Sequence, residues 1–216
     1  ATTSGLELIP EAKRNPYRTT TYGTGQLILK ALDHNVEKII LGIGGSATTD
    51  GGAGMLQALG AKLTDKEGNE IGFGGFELGK LENINFSGLD ERLKNVEILV
   101  ACDVNNPLIG INGATYVYSK QKGLSESKFQ EVDKYVENFA KIVNNVVKKN
   151  NVYNEGSGAA GGLGFAFMSF SNATIQSGSQ FMINYLGLEE TIQEIDIVIT
   201  GEGKLDKQSF MGKAPI

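Results

Sequence analysis

An α/β fold with a parallel or mixed sheet is what this sequence predicts, on three observations. Apolar, β-branched runs recur at residues 36–41 (VEKIIL), 96–101 (VEILVA) and 196–200 (DIVIT). They lack the regular polar alternation of a half-solvated strand, so both faces are expected to be covered, as in a parallel sheet. Helical periodicity fills stretches between them. Glycine clusters where the runs end, at 42–54 and 201–203, and again at 72–79 and 156–164.

Each element follows in order. Residues 1–18 carry Pro10 and Pro16 and several charges, and read as an irregular connection. Thr24 is a candidate N-cap for a short helix over 24–32. Residues 36–41 form the first strand. After the glycine loop, 53–59 suit a helix closed by Gly60. Residues 61–64 and 70–73 flank Asp65-Lys66-Glu67-Gly68-Asn69, a hairpin signal. The strand at 96–101 ends on Cys102-Asp103. Residues 115–118 are a short strand or a helical turn. The clearest helix spans 125–149, where Phe129, Val132, Val136, Phe139, Val143 and Val146 recur at steps of three and four. Ser125 would cap it, Glu126 falls in its first turn, and Lys148 and Lys149 complement its dipole at the other end. The run 156–164 leads into a tightly packed helix around 165–168, and 196–200 is the third buried strand.

Bulk properties narrow the function classes. The chain has 216 residues, enough for one large domain or two small ones, and 40% are apolar, enough for a core. A net charge of −5 with no basic run leaves no electrostatic footprint for nucleic acid. The single cysteine, Cys102, forbids an intrachain disulfide and points to a reducing compartment, hence the cytoplasm. No apolar run reaches membrane-spanning length, and the start lacks a signal-peptide pattern. The chain opens on Ala1 and closes just after a helix signal, which reads as a piece of a longer protein.

Glycine is the outlier: 29 of 216 residues, roughly twice average usage. The stretch 42–54 (GIGGSATTDGGAG) follows a strand directly. Glycine lets amide groups converge on an anion, and a helix opening at 51–53 would add positive charge. Ser46, Thr48 and Thr49 supply hydroxyls. The lysine of a Walker A loop is missing. Residues 42–47 match G-x-G-x-x-A, and Asp65 lies 23 residues beyond Gly42, within reach of a ribose-binding role. Asp50-Gly51-Gly52 would, however, interrupt the helix such a fingerprint needs. A plain glycine turn packing helix on strand is the bland alternative.

Acids stand at the carboxyl ends of the strands, where ligands bind in open α/β sheets: Asp50 after the first, Asp103 after the second, Glu202 and Asp206 after the third. Carboxylates beside a phosphate loop call for a cation, and Mg²⁺ uses one or two of them. With no evident nucleophile, the pattern suggests phosphoryl transfer by positioning and charge stabilisation. The bland readings are a helix cap for Asp50, an Asx-turn for Asp103 and a surface acid for Asp206. His34, the lone histidine, reads as an exposed turn residue, and Cys102 as a small core residue. Arg18 with Thr19, Thr20 and Thr21 could grip a carboxylate or form a polar turn. Lys204 and Lys213 could neutralise phosphate or simply be solvated.

Six separated stretches carry a resemblance: SGLELIP (4–10), RNPYRTTTYGTG (14–25), GIGGSATTDGGAGMLQALGA (42–61), ACDVNNPL (101–108), GSGAAGGLG (156–164) and ITGEGKLDKQSFMGKAP (199–215). Together they resemble the bacterial glycerate kinase family, type I, over the whole chain and in the same order. The resemblance implies two α/β domains around a cleft. It also implies ATP and Mg²⁺ as cofactors and D-glycerate as substrate, phosphorylated on its 2-hydroxyl to 2-phosphoglycerate in organic acid catabolism. Residues 1–216 would be the central part of such an enzyme. Members are longer at both ends, so part of the site, including a phosphate lysine, is expected outside this chain. Carried onto this sequence, Asp50, Asp103 and Glu202 are expected in catalysis. Arg18, Thr19, Thr20, Thr21, Gly44, Gly45, Ser46, Thr48, Gly51, Gly52, Gly201 and Gly203 are expected to bind substrate and phosphate, and Asp103 and Asp206 metal. The expected partners are glycerate and ATP, with no nucleic acid and no membrane, and a homodimer left open. Two competing readings stand: a nicotinamide-dependent oxidoreductase resting on Gly42, Gly44 and Asp65, and a non-catalytic sensor of a small carboxylate.

Overall fold

The computed structural model describes residues 2–193 and 195–199. In chain order the strands are β1 (Lys38–Gly42), β2 (Lys62–Thr64), β3 (Asn83–Asn85), β4 (Glu97–Ala101) and β5 (Thr174–Gln176). The helices are α1 (Tyr22–Leu32), α2 (Ala53–Ala58), α3 (Ala114–Tyr118), α4 (Phe129–Val147), α5 (Ala159–Phe170), α6 (Gly178–Leu186) and α7 (Leu188–Thr191). Single 3₁₀ turns punctuate the connections.

β1, β4 and β5 form a parallel sheet in the order β1-β4-β5. Gly42 lies beside Ala101, and Ala101 beside Gln176. All three strands therefore release their chains at one edge, the carboxyl edge, where α/β proteins hold ligands. β4 is central and buried through Ile98, Leu99 and Val100, as its unbroken apolar run predicts.

β1 departs from the expectation of two covered faces. Ile39 is buried, but Ile40 is 46% exposed. Ile40 instead lines an open groove with Thr2, Thr24 and Leu27, so that face of β1 lacks a packed layer among the described residues.

The long helix forms as its periodicity predicts, starting four residues later, after a 3₁₀ turn at Glu126–Lys128. Phe129, Val132, Val136, Phe139 and Val143 are buried. Val146 is 46% exposed, because the stripe outruns the core it packs on. Lys148 ends the helix in the left-handed conformation (φ 58°). Ser125 makes no side-chain cap. α1 begins at Tyr22, two residues before the expected cap Thr24, which is buried inside the helix. α1 packs on α2 so closely that a Cβ on Gly25 would lie 2.6 Å from the Ala58 Cβ. Residues 115–118 resolve as helix.

The hairpin is half right. Its turn forms, with the Asp65 carboxylate accepting from the amides of Glu67 and Asn69. Beyond it only one bridge, Thr64 to Glu70, joins the arms. β2 pairs antiparallel with β3 instead, setting buried Leu63 opposite buried Ile84. Burial of that apolar pair outweighs local turn chemistry.

Among the described residues the third parallel strand is β5, and residues 196–199 form none. Its short run Thr174–Gln176 gives little sequence signal. The described part of the expected strand, 196–199, is neither paired nor buried: Ile197 is 76% and Ile199 92% exposed. Glu202, Asp206, Gly201, Gly203, Lys204 and Lys213 lie outside the described residues. No helix of the described residues is long and apolar enough to cross a membrane.

Candidate active site

The glycine loop leaves β1 and divides into two halves. Residues 43–46 run along the carboxyl edge. Gly44 and Gly45 are exposed, and a Cβ built on either would meet nothing within 4 Å. The carbonyl of Gly45 accepts from Leu6, and Ala47 donates to Ser4, so the segment 4–6 pins the loop from outside. The amides of Gly44, Gly45 and Ser46 donate to nothing among the described residues. Successive N–H groups without an internal acceptor are the kind of backbone that can receive an anion.

Residues 48–54 do something else. Gly51 and Gly52 adopt φ values of 64° and 85°, and a Cβ would strike Phe139 on one and Ala166 on the other, at 2.7 and 2.5 Å. They let the loop pack against α4 and α5. Their amides are engaged within the protein, Gly51 with the Gly161 carbonyl and Gly52 with the Asp50 carboxylate.

Asp50 is fully buried beneath the same half. Its Oδ2 accepts from the Thr21 amide (2.8 Å), the Thr21 hydroxyl (2.9 Å) and the Gly54 amide (3.3 Å), and its Oδ1 from the Gly52 amide (3.2 Å). Burial pushes its carboxyl above the usual range, and these donors pull against that. The expected anion site at the start of α2 is thus filled by the protein's own carboxylate. α2 is also only six residues long. Thr21 passes the link on, since its hydroxyl also accepts from the Met55 amide at 2.9 Å.

The other polar residues of 18–24 serve the loop too. Thr19 donates to the Ala47 carbonyl at 2.7 Å, and the Thr20 hydroxyl accepts from the Tyr22 amide. The hydroxyl protons of Thr19 and Thr21 are thus spent inside the protein, while the Thr20 hydroxyl only accepts and keeps its proton for a further acceptor. Arg18 is exposed, and its guanidinium has no partner among the described residues.

Asp103 follows β4 directly and is exposed. Its Oδ1 accepts from the Ser177 hydroxyl (3.0 Å) and the Gly178 amide (2.8 Å), tying the end of β4 to the start of α6. Its Oδ2 has no hydrogen bond among the described residues.

Asp103 stands between two hollows. A cleft of about 190 Å³ lies between it and the loop, lined by Gly44, Gly45, Ser46, Tyr118, Lys122 and Ala160. A wider basin of about 760 Å³ opens on the other side, lined by Asn105, Asn154, Glu155, Gln176 and Ser177. Ala160 holds a left-handed backbone (φ 53°), followed by Gly161 and Gly162 at 70° and 98°. This kink lets α5 seat on the loop: Gly51 donates to the Gly161 carbonyl at 2.9 Å. Cys102 lines both hollows, but burial pushes its thiol up, so thiolate chemistry is disfavoured.

Lys122 is the residue that sequence reasoning misses. It sits in the polar turn 119–123 (SKQKG), which reads as solvated. Its side chain is instead buried, and the ammonium donates to the Thr48 carbonyl (2.6 Å) and the Ser46 hydroxyl (3.1 Å). Nothing local signals this; the burial comes from α3 delivering the turn beneath the loop.

Asp65, the acid of the dinucleotide fingerprint, is spent on its own turn and belongs to the separate β2-β3 sheet. The oxidoreductase reading therefore loses its ribose contact.

A parallel sheet whose carboxyl edge carries an open amide loop, a buried lysine and a free carboxylate oxygen defines an α/β protein equipped to hold an anionic ligand. Among the described residues there is no group of three or more histidine, cysteine or acidic side chains that could cage a metal. The family model "Glycerate kinase family" matches residues 1–216, and the chain belongs to that family. It is 52% identical to glycerate 2-kinase of Escherichia coli strain K12 and 49% identical to glycerate kinase of Bacillus subtilis strain 168, over all of its own length. It spans 57% and 56% of those relatives. A solved structure described as glycerate kinase 2 from Salmonella typhimurium LT2 matches with a TM-score of 0.88 at 47% identity, over 98% of this chain and 56% of that one.

Proposed function

We propose that the whole protein transfers a phosphoryl group from ATP to the 2-hydroxyl of D-glycerate, giving 2-phosphoglycerate. On this reading it works in the cytoplasm on small molecules. The observation that carries the reading is the cleft lined by both Asp103 and the loop residues Gly44, Gly45 and Ser46, whose amides donate to nothing among the described residues. The family membership and the names of the relatives support it.

The roles follow from the geometry. The three amides receive phosphate oxygens and cost no reorganisation as charge moves during transfer. Asp50 and Thr21 hold the loop from beneath. Asp103 supplies one carboxylate oxygen already fixed by its contacts to Ser177 and Gly178. That donor set suits Mg²⁺, which takes one or two carboxylates and completes its shell with phosphate and water. When bound, Mg²⁺ would neutralise charge on the transferring group. Arg18, exposed and unpaired among the described residues, is assigned to the carboxylate of glycerate, with Glu202 beside the substrate and Asp206 as a second acid for the cation.

A coupled ADP-release assay of the full-length protein with D-glycerate, L-glycerate and hydroxypyruvate tests the reading, and phosphorus NMR of the product tests the position. D-glycerate turnover to 2-phosphoglycerate is expected. Binding of glycerate without ADP release would favour the sensor reading instead.

A further inference from the structure

Lys122 carries a charge problem that the fold leaves unsolved. Two of the three ammonium protons are spent on neutral acceptors, the Thr48 carbonyl and the Ser46 hydroxyl. Among the described residues it forms no ion pair with any carboxylate. A buried ammonium without a counter-ion is costly. Burial pushes Lys122 down to about 7, and Asp50, on the far side of the loop, acts against that shift. The other titratable groups around the cleft are Asp103 and Cys102 at the end of β4 and Tyr118 on α3. Lys122 nevertheless borders the cleft, beside Gly44, Gly45 and Ser46.

We propose that Lys122 is the cationic contact for the phosphate that the glycine loop receives, holding it from below while the amides of Gly44, Gly45 and Ser46 hold it from the open side. This rests on the phosphoryl-transfer reading and adds a residue and a proton to it. The chemistry favours phosphate over carboxylate. Successive free amides form a nest suited to a multiply charged oxyanion, and a lysine binds phosphate as a point charge. An arriving phosphate dianion supplies the missing counter-ion and raises the proton affinity of Lys122. Near pH 7.5 the neutral amine then takes one proton from solvent to become the ammonium, and no other bond changes. Binding should therefore consume protons.

Isothermal titration calorimetry of the full-length protein at pH 7.5, in buffers of low and high ionisation enthalpy, reads this directly. ADP and pyrophosphate are expected to bind with uptake of roughly half a proton or more; adenosine is expected to show none. Lys122→Arg, permanently charged, should bind ADP without uptake. Lys122→Met should bind ADP at least about tenfold more weakly, with adenosine affinity unchanged. Wild-type ADP binding without proton uptake overturns the proposal and needs no variant that must fold. So does uptake that persists in Lys122→Met, or uptake with D-glycerate but not with ADP, which would give the lysine to the acceptor acid. ADP affinity undiminished in Lys122→Met overturns this proposal alone. Failure of the wild type to bind ADP or pyrophosphate overturns both it and phosphoryl transfer.

Discussion

Asp50 and Lys122 sit on opposite sides of one loop, and burial drives both toward neutrality. For Lys122 the sign can be worked through. Its value in the folded protein, about 7, lies below the ordinary 10.5. Between those values the unfolded chain holds a proton that the folded chain does not, so stability rises with pH across that window. Below pH 7 the penalty is largest, on the order of a few kcal/mol. Lys122→Met should therefore gain stability over wild type near pH 6, and the gain should shrink as pH climbs toward 10; denaturant melts of both proteins across that range check it. Asp50→Asn puts an amide donor among groups that are already donors. A loss of about 2–4 kcal/mol is expected from chemical denaturation, larger than for a neutral surface acid. The glycines make a paired test. Gly52→Ala forces a methyl onto Ala166 from a left-handed backbone and should lower the melting temperature sharply. Gly44→Ala meets open space and should leave it within about a degree, while weakening ADP binding by crowding the amides.

At the scale of elements, α4 is where sequence and structure agree most closely. Its apolar stripe is long enough to override doubt at either end, and Phe139 at its centre touches both the Gly51 turn and Phe165 of α5. Phe139→Ala should cost about 3–5 kcal/mol and also loosen the loop, read as faster hydrogen exchange at residues 48–52. The second half of α5, around 165–168, was legible as a tightly packed helix, but its start within the glycine-alanine run and the left-handed kink at Ala160–Gly162 were not, because three consecutive positive φ values are imposed by the loop lying against them. Ala160→Gly removes the steric cost of that conformation at the expense of chain entropy, so a change within about 1 kcal/mol is expected. β5 escaped notice because three residues give no period to read, whereas 196–200, with the stronger apolar signal, forms no strand among its described residues. Propensity marks what a segment could do; only an available neighbour lets it pair.

Across the whole molecule, the sheet places three loops at one edge, and the cleft exists because of that arrangement. β4 lies between two strands and is buried on both faces, while α6 and α7 contain no buried residue. Amides of β4 should exchange slowest and those of α6 among the fastest when this chain is studied alone.

Much was legible without coordinates. The α/β class, the first two strands, the long helix and the family all followed from apolar runs, helical period and six ordered motifs, because those signals are local or cumulative along the chain. The carboxyl-edge placement of Asp103 followed too, since a strand end fixes where the next residue stands. What the folded molecule alone decided was the division of the glycine loop into an open half that faces ligand and a packed half latched by Asp50. It also decided that a lysine from an ordinary-looking polar turn would be carried into the interior beneath that loop. Burial and counter-ion absence are sums over neighbours far apart in sequence. No residue carries them by itself.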